Sequence, residues 1–321
     1  MKKNFLFAIL LFCTSVFGQN TIDNAFFDEV NFRGAFGTTD WTSGWSNFDP
    51  QNTAYVAAQH TIEAGNITSN MALGSPFNAP SSFADASLVN SFFTQVNYVG
   101  AFGQTDWTAG WANFDPKNTV YPTTNVTIPA GNLATTTWTK NNVYLLNGFV
   151  YIPNGVTLTI EAGTIIRGDI TNKGTIIVEM GGKLIANGTA VEPIVFTSNQ
   201  AAGSRNYGDW GGIILLGKAP INPVTATIEG GVGRSYGGSD ATDNSGSLQY
   251  VRIEFPGIAF TTDNEINGLT MGGVGSGTIL DNIQVSYSGD DSFEWFGGTV
   301  NAKHLIALRG WDDDFDTDFG Y

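Results

Sequence analysis

Residues 288–298 (SGDDSFEWFGG) and residues 310–320 (GWDDDFDTDFG) align without a gap at an offset of 22. A unit this short, bounded by glycine and lacking helical periodicity, cannot enclose a core by itself. It predicts one coil of a β-solenoid stacked on the next. Adjacent coils then lie about 4.8 Å apart, and their carboxylates stack with them. Alternate residues of a strand share a face. Parity therefore puts Asp312, Asp314, Asp316 and Asp318 together, over Asp290, Ser292, Glu294 and Phe296 of the preceding coil. Phe293 and Phe315 take the opposite parity and are expected to stack inside as an aromatic ladder, leaving the carboxylates on the outside.

The chain from 143 onward supports the same reading. Short Val/Ile/Leu runs at 144–152, 156–160, 164–167, 174–179, 183–187 and 193–197 are separated by corners such as Asn154-Gly155, Gly181-Gly182 and Asn187-Gly188. Such β-branched runs are strand-length, and residues 250–257, 282–289 and the strand ending at Gly310 lay out as successive coils, the first lengthened by a loop near 261–268. The expected fold is all-β: a right-handed parallel β-helix over 143–321, preceded by a duplicated aromatic and Gly-rich module. Residues 24–55 recur at 90–121 with a constant offset of 66, which continues from 61–67 into 127–133. The first copy is assigned to 24–71, a linker to 72–89, and the second copy, leading into the solenoid, to 90–142.

Residues 1–18 carry a basic start, Met1-Lys2-Lys3, and an apolar run through Phe12, the pattern of a secretory signal peptide with a cut before Gln19. Lipoprotein processing at Cys13 is disfavoured by the bulky Phe12. Export to the cell surface or medium is expected, and no later run is apolar enough to span a membrane. Cleavage would remove Lys2 and Lys3 from the 14 basic residues and leave all 29 acidic ones, so the mature formal charge is 12 minus 29, or −17. That balance disfavours nucleic acid, which binds through Lys and Arg patches. The single Cys of the chain excludes a disulfide framework.

The segments 155–168 (GVTLTIEAGTIIRG), 174–198 (GTIIVEMGGKLIANGTAVEPIVFTS), 207–222 (YGDWGGIILLGKAPIN) and 288–305 (SGDDSFEWFGGTVNAKHL) resemble the secreted right-handed parallel β-helix proteins of bacteria that use type IX secretion. The resemblance runs from about residue 90 onward. It implies an extracellular protein, usually longer than this one and ending in a C-terminal sorting domain. The end at Tyr321, without a helix or polar cap over the last coil, carries the further expectation that the chain is a fragment or that a partner protects its end.

Like charges about 5 Å apart repel by roughly 3 kcal/mol even at an effective dielectric near 20. The stacked acids thus call for full solvation, raised pKa values or a cation. Calcium suits loose sets of oxygen ligands, and Asp290, Glu294, Asp312, Asp314, Asp316 and Asp318 are the candidate ligands. Thr317 stands where an EF-hand loop needs glycine, and residues 272–277 (GGVGSG) lack the Asp of a calcium-binding nonapeptide. Neither motif is present.

Two catalytic alternatives use the same region. A glycoside hydrolase needs paired carboxylates, available from Asp290, Asp291, Asp312 and Asp313. A calcium-dependent polysaccharide lyase needs a basic residue beside the metal, for which Lys303 and Arg309 are candidates. His60 and His304 lack metal-ligand spacing. Residues 231–237 (GVGRSYG) precede no helix and so do not make a phosphate loop, while Asp240 and Asp243 nearby offer a minor ion site. In the duplicated module, Trp41, Trp45, Trp107 and Trp111, with Phe48 and Phe114, are either stacking platforms for sugar rings or staples holding an irregular segment against the β-helix; Asp40 and Asp106 are placed to orient sugar hydroxyls in the first case. The absence of a specific catalytic set favours adhesion, surface architecture or binding of extracellular polymers, with a polysaccharide or cell-surface component as partner.

Overall fold

A computed structural model describes residues 106–321 apart from 224, 262 and 263. The signal-like segment, the first module copy with Trp41, Trp45 and His60, and the linker lie outside the described residues. The described elements are all strands, and among these residues no helix is long and apolar enough to cross a membrane. The strands stack in parallel as a right-handed β-helix with three columns.

The first column holds Thr136–Trp138, Thr157–Ile160, Lys183–Asn187 and the leading parts of Gly246–Glu254, Ile279–Ser286 and Ala302–Leu308. The second begins with Val126–Asn132 on Val143–Ile152 and continues through Ile165–Gly168, Ile194–Ser198 and the trailing parts of the same three long strands. The third runs from the end of Val143–Ile152 through Thr175–Val178, Gly212–Leu216, Leu269–Val274 and Phe293–Gly298 to Phe315–Asp318. Val251 pairs with Ile283 and Ile283 with Leu305, the coil layout expected from sequence. The solenoid begins earlier than expected, however, because Val126–Asn132 already pairs with Val143–Ile152.

The last three coils turn at the same places. Tyr250, Asn282 and His304 occupy equivalent positions and all have left-handed φ values of 50°, 54° and 51°. Phe255, Tyr287 and Arg309 repeat this at the next corner with 62°, 55° and 56°, and Gly273, Gly297 and Phe319 at the third with 55°, 65° and 51°. A left-handed non-glycine residue costs about 1–2 kcal/mol. Its recurrence in register shows that the bend, not the side chain, dictates the conformation.

Inside, apolar residues stack coil on coil, as in the ladder Val150, Ile176, Ile213, Leu269, Phe293. Phe315 completes it, its ring 5.4 Å from that of Phe293 and 12° from parallel. The aromatic ladder read from parity is therefore present.

Candidate functional site

The outer face of the third column carries its own ladder: Tyr151, Ile177, Ile214, Thr270, Glu294 and Asp316, each in register with the next. Its early members are apolar, and an apolar outer face must be covered. The chain supplies the cover in two inserted segments, one with the antiparallel pair Ala226–Thr227 and Ser235–Tyr236, the other with Ala259–Thr261 and Asn264–Glu265. Ile228, Val232, Tyr236, Ile258 and Ile266 from these segments pack on Ile177, Ile214 and Phe296. Glu294 lies on the same face and is buried with it, at 7% exposure. Of the outcomes open to the stacked acids, full solvation therefore does not hold at Glu294: strand parity gives the side of the sheet, but the inserted segments decide whether that side meets water.

Burial shapes the chemistry here. The Asn267 amide donates to Glu294 Oε2 and, at 3.2 Å, to Glu229 Oε1 from the cover. Asn267 Oδ1, Thr270 Oγ1 and Ser292 Oγ are buried and have no hydrogen-bond partner. Burial first, then the Glu229 charge, raises the Glu294 carboxyl well above its ordinary range, and burial raises Glu229 as well. Asp290 is pushed up to about 7 by burial and then by Asp291 and other neighbouring carboxylates. Asp291 is pushed up to about 6, chiefly by burial, although the Asp313 amide donates to its Oδ1 at 2.8 Å and opposes the shift.

Carboxylate oxygens converge in two groups, each within 4.8 Å: Asp290, Asp291 and Asp312, and Asp291, Glu294 and Asp316. Asp291 belongs to both, so the shared ligand of the acidic cluster is a residue that the parity argument left out of the ion set. Asp314 and Asp318 fall outside both groups. The strand starts only at Phe315, so Asp312, Asp313 and Asp314 sit in a turn where strand alternation does not apply; Asp318 pairs with Phe296 instead of an acid. Asp313 contributes its backbone: its amide caps Asp291 and its carbonyl accepts from Ser292 N at 2.9 Å. The cluster fits a hard divalent cation. Its donors are all oxygen, the ligand type such a cation takes, and the buried Asn267 Oδ1, on the amide that donates to Glu294, has no hydrogen-bond partner.

An aromatic platform adjoins the acids. Trp311, immediately before Asp312, is 74% exposed, and its amide donates to Ser288 O at 2.9 Å. Tyr207 lies 5.4 Å from both Trp311 and Tyr287, Phe255 stacks beneath Tyr287 at 5.2 Å, and the Arg309 guanidinium lies 5.8 Å from the Tyr287 ring centre. Three of these residues, Phe255, Tyr287 and Arg309, are the left-handed corner residues of successive coils, which turns their side chains together at one corner. Their equivalent spacing was a usable signal in the sequence; Tyr207, from a distant loop, had none.

The other candidate residues lie elsewhere. Arg309 is on the platform, whereas Lys303 pairs in register with Asp281 in the first column and joins neither acidic group. Trp111 is wholly buried, donating to Trp107 O at 2.7 Å and meeting Tyr250 edge-on at 5.9 Å. It is a staple and not a sugar platform. Trp107 is half-buried and lies 5.1 Å from the His304 ring, and His304 Nδ1 is 2.6 Å from Asp281 Oδ1. Asp240 accepts from Thr242 in a tight local turn, and its carbonyl accepts from the amide of the buried Asp243 at 3.1 Å; neither belongs to the two converging carboxylate groups. Within residues 231–237, Val232 is a buried part of the cover.

No curated protein and no solved structure matches this chain. The family described as a pectate-lyase-like β-helix domain matches residues 131–321, which include all three columns, the cover, the acidic cluster and the corner with Tyr287, Arg309 and Trp311. The chain belongs to this pectate-lyase-like β-helix family.

Proposed function

We propose that this chain is an exported β-helix protein that binds an extracellular polysaccharide at the corner of its last two coils, as an adhesive or architectural component of the surface of a bacterium using type IX secretion. One observation carries the reading: the exposed Trp311, held edge-on by half-buried Tyr207 and next to Asp312 in the chain, adjoins converging carboxylates. Aromatic faces give sugar rings a flat apolar partner. The carboxylates, with a calcium ion held by Asp291, Glu294, Asp316 and Asn267 Oδ1, would orient hydroxyl or uronate oxygens beside them. The family supports a polysaccharide-related scaffold, and the signal-like residues 1–18 support export.

The test is co-sedimentation of the mature chain with insoluble polysaccharides, with and without calcium. Binding that is lost in Trp311→Ala supports the reading; no binding to any polysaccharide sinks it.

A second reading, a calcium-dependent lyase or a hydrolase, is favoured by the Arg309 guanidinium lying 5.8 Å from the ring centre of Tyr287, at the corner that also carries Trp311. In the lyase version Arg309, in its neutral guanidine form, would take the proton from the carbon next to a uronate carboxyl group; the electron pair forms the C=C bond of the unsaturated end and expels the glycosidic oxygen, which takes a proton from water. In the hydrolase version Asp290 and Asp291 divide the acid and base roles. Incubation with acidic polysaccharides would release unsaturated or reducing ends, and unchanged release by Asp291→Asn and Arg309→Gln would remove this site from consideration.

A further inference from the structure

Residues 107–121 form a strap across the outer face of the second column, and Tyr121 anchors it. The Tyr121 hydroxyl donates to Glu254 Oε1 at 2.8 Å and accepts from Arg252 at 3.3 Å. Its carbonyl accepts from Arg167 at 3.0 Å, and the Arg205 guanidinium lies over its ring, 4.9 Å from the centre. One side chain thus gathers three arginines and a glutamate. Arg167, Arg205 and Glu254 are buried, and the Arg252 side chain is only 14% exposed. In a chain of net charge −15 this is a local excess of positive charge, and arginine is seldom buried without a partner of opposite sign.

The buried charges do not balance. Glu254 Oε1 stands 3.6 Å from Arg252 Nε. A second buried carboxylate, Asp209, feels the Arg205 charge but takes its hydrogen bonds from Ser198 and the Asn206 amide. Three guanidiniums against two carboxylates leave one positive charge over. Among the described residues no carboxylate pairs with Arg167 or Arg205, and burial, then the Arg205 charge, disfavours the Arg167 cation.

The unmet hydrogen bonds fall in the same place. Arg167 Nε, Thr197 Oγ1, Arg252 Nε, Ser286 Oγ and Glu254 Oε2 are buried and have no partner. Arg167 stands beside Thr197, and Glu254 beside Ser286, in the register of paired strands. Four of the five atoms can donate. A buried polar atom left unpaired costs about 1–3 kcal/mol, and an unpaired buried charge costs more. Water serves hydroxyls, but it does not balance a charge. A small anion does both.

We propose that a small monovalent anion, of halide size, binds between Arg167 Nε and Thr197 Oγ1 and locks the strap to the coils. The two strands are about 4.8 Å apart, so one ion can meet both donors. Arg205 adds charge nearby, and the strap closing overhead selects a small ion over a large one. The proposal does not depend on polysaccharide binding.

Crystals of the chain, purified and grown in sodium bromide, test it, because bromide scatters anomalously and water does not. An anomalous peak beside Arg167 Nε is expected, and solvent density there without that signal would overturn the proposal. In solution, unfolding midpoints are compared at constant ionic strength as sodium chloride replaces sodium gluconate, whose anion is too large to enclose. Chloride is expected to raise the midpoint by a few degrees, as a ligand of the native state does, and Arg167→Gln or Thr197→Val to abolish the rise. Should Arg167→Gln fail to fold, Thr197→Val and the bromide crystals still decide. A wild-type midpoint indifferent to chloride, or an equal rise in the variants, contradicts the proposal.

Discussion

Asp316 stands on Glu294 in the parallel register of the last two strands of the third column, and Asp291 brings a carboxylate within 4.8 Å of both. Stacking converts a repeat in the sequence into a cluster in space, and the cover over the column converts that cluster into a partly dry one. Burial and neighbouring carboxylates hold Glu294 and Asp291 back from ionisation unless a cation neutralises them.

Calcium is expected to raise the thermal midpoint, since a ligand of the native state stabilises it in proportion to its occupancy. Asp291→Asn should remove most of that rise, and Asp318→Asn should leave it intact because Asp318 lies outside both acidic groups. Scanning calorimetry of the two variants with calcium and with chelator checks this. Identical curves for the wild-type chain in both conditions would count against a cation site.

With chelator present, stability should increase as the pH falls from about 7 toward 4. Asp290 and Asp291 are raised in the fold, to about 7 and about 6, from 3.8. Groups raised in this way stabilise the fold fully below the unfolded value, and that stability is lost as the pH rises through the folded values. Urea midpoints at pH 4.5, 6 and 7.5 read the trend directly. Asp290→Asn should flatten it, and a slope of opposite sign would show that other groups dominate.

Phe293→Ala should destabilise the fold by about 3–5 kcal/mol, the usual cost of truncating a buried phenylalanine. Phe315→Ala, in the same ladder but 52% exposed, should cost less than half as much. Denaturant unfolding of the two variants checks the ordering, and equal losses would mean that the last coil is packed as tightly as the one before it.

Glu294→Gln keeps the bond to Asn267 and removes the charge facing Glu229. In the absence of calcium it should leave stability unchanged or raise it, because burial and the Glu229 charge both disfavour the ionised carboxyl. Glu294→Ala should lower it by about 1–3 kcal/mol, by leaving the buried Asn267 amide without its partner. A loss for Glu294→Gln as large as for Glu294→Ala, both with chelator, would mean that the ionised carboxylate is structural.

The stack was legible where the chain repeats itself at a fixed offset. Residues 288–298 and 310–320 specified the register of Phe293 with Phe315 and of Glu294 with Asp316, since a gapless repeat leaves one way to stack. Parity failed at Asp314 because it presumes a strand, and the backbone there is still turning, whereas Asp312 does meet Asp290 as the repeat predicts. The burial of Glu294 was not legible: it depends on Glu229, Tyr236 and Ile258 folding back from inserted segments with no period of their own. Tyr207 reaches Trp311 across about a hundred residues of chain, a contact only the assembled coils create. Trp107 and Trp111 show the converse case, since a Trp pair reads alike as platform or staple until burial is known.

Equilibrium titration of a soluble acidic oligosaccharide into the mature chain tests the central claim most directly, comparing wild type, Trp311→Ala and Asp291→Asn with calcium and with chelator. The account predicts saturable binding by the wild-type chain with calcium, weakened roughly tenfold by Trp311→Ala, about 1.4 kcal/mol, and weakened likewise by chelator or by Asp291→Asn. Binding of equal strength in all three chains, indifferent to calcium, would place the polysaccharide elsewhere and contradict it.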